Sequence, residues 1–119
     1  MIESLLKELV LSVDGATGAI VVALDGEAVQ WSASVLDERL RLRSAYVAVV
    51  MKTFRAAAPR IGLGHLTHLV IDYKGAILVA QEIDIDCSVV LELKPSTSIG
   101  RAVYQIQRAA ARLRDEIKT

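Results

Sequence analysis

One cysteine, one tryptophan, one phenylalanine and two prolines are all that this chain of 119 residues has of those types, and each scarcity excludes something. The lone Cys87 cannot close an internal disulfide, so packing must hold the fold. Its place in an alternating apolar stretch suits a small buried hydrophobe better than a reactive thiol. Aromatic residues amount to 4%, a poor lining for a cofactor pocket, and no cofactor is expected. Charge of one sign does not predominate either: fourteen Lys and Arg face fourteen Asp and Glu. No long-range field gathers a polyanion, and nucleic acid is not an expected partner. Long apolar runs are also missing. The chain is 53% hydrophobic, yet "AIVVAL" (19–24) and "AYVAVVM" (45–51) fall far short of the ~20 residues that span a bilayer, so membrane insertion is not expected. The opening "MIESLLKELVLSV" is interrupted by Glu3, Lys7 and Glu8. It does not read as a signal peptide, and the chain is expected in the cytoplasm.

What is present is a succession of clear periodicities. Ile2, Leu5, Leu6, Leu9, Val10 and Val13 recur at helical spacing and predict an amphipathic helix over 2–13, closed by Asp14-Gly15. "TGAIVVAL" follows as a strand, Asp25-Gly26 as a hairpin turn, and "EAVQWSAS" (27–34) as the returning strand. Three glycines in this region raise the possibility of a phosphate cradle. Such cradles run from strand to glycine loop to helix, whereas here the order is helix, glycines, strand, so the glycines are turn residues.

A long helix is predicted over 37–58, with Asp37 as its N-cap and with Pro59 and "GLG" (62–64) as its stop. "LTHLVIDY", "AILVAQEI" and "CSVVLEL" then read as three antiparallel strands joined by tight turns. A last helix, capped by Ser96, Thr97 or Ser98, carries the apolar stripe Ile99, Val103, Ile106, Ala110, Leu113 and Ile117. The order α-β-β-α-β-β-β-α over residues 1–119, with no linker or repeat, predicts one α+β domain. Strands that are apolar at consecutive positions are covered on both faces, so the sheet is expected as the middle layer of a three-layer sandwich.

The middle helix has two apolar stripes: Leu42, Ala45, Tyr46, Val49, Val50 and Ala57 on one side, and Leu40, Val47, Met51, Phe54 and Ala58 on the other. One side can face its own sheet. The other needs a cover, either an overlying loop or, since no segment of so short a chain is spare, a partner surface. The second stripe is assigned to the partner. "LTHLVIDY" is the candidate edge strand whose unpaired backbone would template a copy, which adds His68 and Val70 to the expected interface.

Chemistry is sparse. His65 and His68, three apart, would lie on opposite faces of a strand and have no ligand partners at metal spacing. Glu82, Asp84 and Asp86 lack the glycine and distal glutamate of a calcium loop and read as a solvated acidic turn. There is neither a Gly-x-Ser-x-Gly elbow nor a Walker lysine, and nothing points to an enzyme. Arg101, Gln105, Arg108 and Arg112 form a polar stripe on the last helix, which most simply is its wet face.

Taken together, "LLKELV", "VDGATGAIVVALDGEAVQWSAS", "HLVIDYKGAILVAQEIDIDCSVVLEL" and "STSIGRAVYQIQRAAARLRDEI" resemble the Roadblock family, which includes dynein light chains and the MglB-type regulators of small Ras-like GTPases. The resemblance covers nearly the whole chain. It implies a five-stranded antiparallel sheet with the middle helix on one face and the terminal helices on the other. It also implies a homodimer in which the third strands pair and the middle helices pack side by side, and a small Ras-like GTPase as partner. Arg43 and Arg55 are the candidate contacts to that GTPase, as interface frame rather than as catalytic finger. Two other readings stand beside this one: a dimeric scaffold that leaves GTP turnover unchanged, and a small-ligand sensor domain.

Overall fold

Eight elements follow one another as α1 (Ile2–Ser12), β1 (Ala16–Ala23), β2 (Ala28–Trp31), α2 (Glu38–Ile61), β3 (His68–Asp72), β4 (Ile77–Asp84), β5 (Cys87–Leu93) and α3 (Ile99–Lys118). The computed structural model describes residues 1–33 and 35–118. Ser34, the end of the expected second strand, and Thr119, the end of the expected domain, lie outside the described residues. The elements and their order are those the periodicities predict, with several boundaries adjusted, most of all in β2, α2 and β3, which is trimmed to His68–Asp72. β2 is four residues long and stops at Trp31. α2 runs through Pro59 to Ile61, so the proline, which removes one backbone donor, sits in the last turn and does not end the helix. The helix is stopped by Gly62, whose left-handed backbone (φ 68°) brings its N–H to the carbonyl of Ala58. At the other end the Asp37 carboxylate accepts the N–H of Arg39 at 2.8 Å, as an N-cap should.

All neighbouring strands are antiparallel, in the order β2-β1-β5-β4-β3. Alternation sorts their side chains. Ala19, Val21, Ile77, Val79, Ile83, Val89, Leu91 and Leu93 face Leu5, Leu6 and Leu9 of α1 and Ala102, Ile106, Ala110 and Leu113 of α3. Ile20, Val22, Leu78, Ala80 and Val90 face Leu40, Val47, Ala48 and Met51 of α2. The sheet is thus the middle of three layers, α1 and α3 on one side and α2 on the other. The Asp25-Gly26 turn leans on α2: a Cβ at Gly26 (φ 90°) would come within 3.3 Å of the Ala45 carbonyl oxygen.

Candidate interaction surface

Simple dimensions set the problem that this fold leaves open. Five strands about 4.8 Å apart make a sheet about 19 Å across, and a helix with its side chains is about 10 Å wide. Two helices cover one face; a single helix covers half of the other. α2 packs on β1, β5 and β2, so the uncovered half falls on β3 and the adjoining flank of β4. A groove runs there between helix and strand. Its upper end, with a volume of about 320 Å³, is lined by Tyr46, Val50, Ile71 and Tyr73, with Arg43 at the mouth. Phe54, Ile61, Leu63, Leu66 and Leu69 line its lower end, about 250 Å³. Beside the groove, among the described residues, β3 pairs with β4 alone, leaving the other edge of its backbone without a partner strand.

The structure reverses the expected assignment of the two stripes of α2. Leu40, Val47 and Met51, expected to meet a partner, are only 5%, 2% and 1% exposed; they are pressed against the chain's own sheet and have no surface left to bury. Of that expected stripe, Phe54 points outward, 51% exposed, together with Leu42, Tyr46 and Val49 of the stripe expected to face the sheet. Small residues and charges account for the choice. Ser44 and Ala48 lie among Leu40, Val47 and Met51 and are buried with them, which lets the helix settle close to the strands. Arg55, four residues beyond Met51 on the same side, finds a carboxylate on the sheet. A helix rolled to bury Tyr46 and Val49 would carry that arginine away from it.

β3 shows a related shift. His68 and Val70 pair with Gln81 and Val79, which places them on the side of the terminal helices; Leu69 and Ile71, opposite Ala80 and Leu78, are the residues that turn toward α2. In a strand, a displacement of one residue exchanges the faces.

Neither Arg43 nor Arg55 is a freely presented cation. Arg43, half-exposed, pairs with Glu92 of β5, whose carboxylate also accepts the Thr17 hydroxyl at 2.8 Å. Arg55 is largely enclosed: its Nη2 lies 3.2 Å from Oε1 of Glu82, an ion pair rather than a well-aligned hydrogen bond. The other oxygen of Glu82 meets Nε2 of His65 at 2.6 Å. Glu82 therefore does not belong to the solvated acidic turn in which the sequence pattern puts it; it is clasped from α2 and from the loop before β3. The two arginines, twelve residues or about 18 Å apart along the helix, pin α2 to the sheet through Glu92 and Glu82. The even-numbered positions that place Glu82 and Glu92 with Leu78, Ala80 and Val90 are the signal that could have revealed this.

Cys87 is half-buried, and its thiol is pushed up to about 12, first by burial and then by the hydrogen bond and negative charge of Asp84. Such a group stays protonated and inert at neutral pH. Among the described residues, no three of the His, Cys, Asp and Glu side chains come together as a metal site. None of the helices among the described residues is long and apolar enough to cross a membrane.

No family model matches the sequence, and no curated protein matches it. Solved structures do. A Roadblock/LC7 domain from Streptomyces avermitilis superposes with a TM-score of 0.87 at 16% identity, over 98% of both chains. Myxococcus xanthus MglB gives 0.84 at 14% identity, over 98% of this chain and 94% of that one. An MglB described with a tetrameric arrangement gives 0.83 at 19% identity, over 96% and 85%. At such identities the likeness is one of fold.

Proposed function

We propose that this chain, whose fold is that of Roadblock/LC7 domains and MglB, is a homodimeric module that docks on a small Ras-like GTPase in the cytoplasm and regulates it. The observation that carries the proposal is the apolar groove beside the unpaired edge of β3. A second copy related by a two-fold axis supplies both missing parts at once: a strand for the edge, and a second α2 for the bare half of the face. Leu42, Tyr46, Val49, Val50 and Phe54 of the helix, with Leu69 and Ile71 of the strand, then form the interface, on the order of 800 Å² per partner. The GTPase enters through the sequence resemblance and the likeness to MglB. The face that bears the paired helices is its docking surface. Arg43, which lines the groove and is held by Glu92, is proposed to frame that docking surface, while Arg55 acts as a pin for α2. The module contributes no catalytic residue of its own.

Sedimentation at tens of micromolar, followed by binding and turnover assays with a small GTPase of the same cell loaded with GTP or GDP, tests the reading. A dimer that prefers one nucleotide state and alters hydrolysis or exchange is the expected result. Binding without change in turnover would leave a scaffold; a monomer, or no binding to any such GTPase, would overturn the proposal.

A further inference from the structure

The layer of α1 and α3, on the far side of the sheet from the groove, has a cleft of its own. Its volume is about 130 Å³, room for a single side chain rather than for a drug-sized ligand, which takes roughly 300 Å³ or more. Buried Leu5, Leu9 and Ala109 form the floor, and exposed Glu8, Arg108 and Arg112 stand at the rim. Arg112 donates to Glu8 at 2.8 Å, so those two charges cancel and the net charge of the rim rests on Arg108. The guanidinium of Arg108 lies 5.8 Å from the centre of the Tyr104 ring, against which it is steadied. Ser12 and Gln105 complete a lining that is more polar than apolar, so the cleft suits a short side chain that reaches the Leu5, Leu9 and Ala109 floor with a negative charge next to it.

The same chain presents that combination at the β4–β5 turn, Asp84-Ile85-Asp86. Ile85 is 71% exposed at the apex, where a turn ordinarily carries polar residues. The turn is already rigid: one oxygen of Asp84 accepts the N–H of Asp86 at 2.8 Å and that of Cys87 at 3.0 Å, and the carbonyl of Asp86 accepts the N–H of Leu24 at 2.8 Å. Little order has to be acquired on binding. The Asp86 side chain projects into solvent beside Ile85.

We propose that the α1–α3 cleft of one chain receives the Asp84-Ile85-Asp86 turn of a second copy, with Ile85 on the floor and Asp86 beside Arg108. Cleft and turn are different surfaces of the same molecule, so the contact is heterologous unless two copies exchange it reciprocally. It leaves the α2–β3 groove free and builds assemblies larger than the dimer. Formal neutrality of the chain removes the repulsion between copies that would oppose it.

Sedimentation velocity at about 50 mM and about 500 mM salt tests this, because an exposed charge pair is screened over that range. The wild type is expected to form species of more than two chains at low salt and to lose them at high salt. Arg108→Glu and Asp86→Arg, both at exposed sites outside the core, should each weaken assembly at least about tenfold, and an equimolar mixture of the two should restore it. A wild type with nothing larger than a dimer at about 1 mM chain and low salt overturns the proposal. So does an Arg108→Glu variant that assembles unchanged, or a mixture that fails to recover. The groove is read separately by Val50→Glu, which removes the proposed dimer and leaves the cleft contact intact.

Discussion

The two faces of the sheet are made of the same kinds of residue and have different fates. On one, α1 and α3 lie side by side, and the positions beneath them, from Ala19 to Leu93, are closed to solvent. On the other, α2 lies alone, and Leu69 and Ile71 of β3 are covered only in part. Strand composition does not separate these faces, since Ile20, Val22 and Leu78 are as apolar as Val21, Ile77 and Val79. Helix number does. A face with two covers is a finished core; a face with one is half core and half surface, and α2 has to serve both. That is why the helix carries apolar residues on two sides, and why its neighbouring residues can have opposite duties.

Met51 and Val50 expose the contrast most directly. Met51→Glu places a carboxylate between α2 and the sheet, where the wild-type side chain is 1% exposed and where the neighbouring Arg55 is already paired with Glu82. A loss of about 3–5 kcal/mol is expected, a large share of the ~5–15 kcal/mol that keeps a domain folded, and thermal or urea denaturation measures it. A well-folded Met51→Glu monomer would mean that this side of α2 faces a partner after all. One residue earlier, Val50→Glu lies in the groove wall. Here the chain should keep its fold, with stability changed by no more than about 1 kcal/mol, while the dimer dissociates at least about a hundredfold more readily for want of a partner to the buried charge. Sedimentation together with circular dichroism separates the two effects. Equal unfolding of both variants would erase the distinction between the sides.

An effect that is silent at neutral pH concerns Cys87, at the end of β5 nearest the acidic turn. Its thiol holds its proton up to about 12 in the folded chain against a reference of 9.0, so between those values the folded state binds more protons than the unfolded one. Stability should therefore be unaffected below about pH 9 and fall as pH rises from there toward 12. Cys87→Ala should lack that decline. At pH 8 the native thiol should also alkylate far more slowly than that of the unfolded chain, which a thiol-reactive dye can follow. Rapid labelling without unfolding would show an opened turn instead.

Element order, strand alternation and most helix limits were legible because each rests on local periodicity: Ile106, Ala110 and Leu113 declare their face by spacing alone, and Asp37 caps its helix as its type suggests. The candidate surface was legible in outline and wrong in detail. That α2 needed a second cover could be inferred from two apolar stripes, and the edge character of β3 from its place in the chain. Which stripe turned inward could not, because Leu40, Val47 and Met51 are no more hydrophobic as a group than Leu42, Tyr46 and Val49. His68 and Val70, in a run apolar on both faces, turn toward the terminal helices, and it is the pairing of β3 with a copy that would bring them to an interface. Glu82 and His65 gave no local sign of meeting, as seventeen residues and a strand pair separate them.

By itself, then, the amino-acid sequence determined the parts: three helices, five strands, turns at Asp25-Gly26 and Lys74-Gly75, a core without disulfides, and a middle helix too apolar to stand alone. Tertiary structure decided how that helix is rolled, which half of the sheet stays bare, and which arginines are spent on Glu82 and Glu92. Periodicity is a property of neighbours in the chain, and it specifies a face only relative to its own element. The choice between two apolar faces is made by what lies across from them, in the close approach that Ser44 and Ala48 permit and the carboxylates that Arg43 and Arg55 reach.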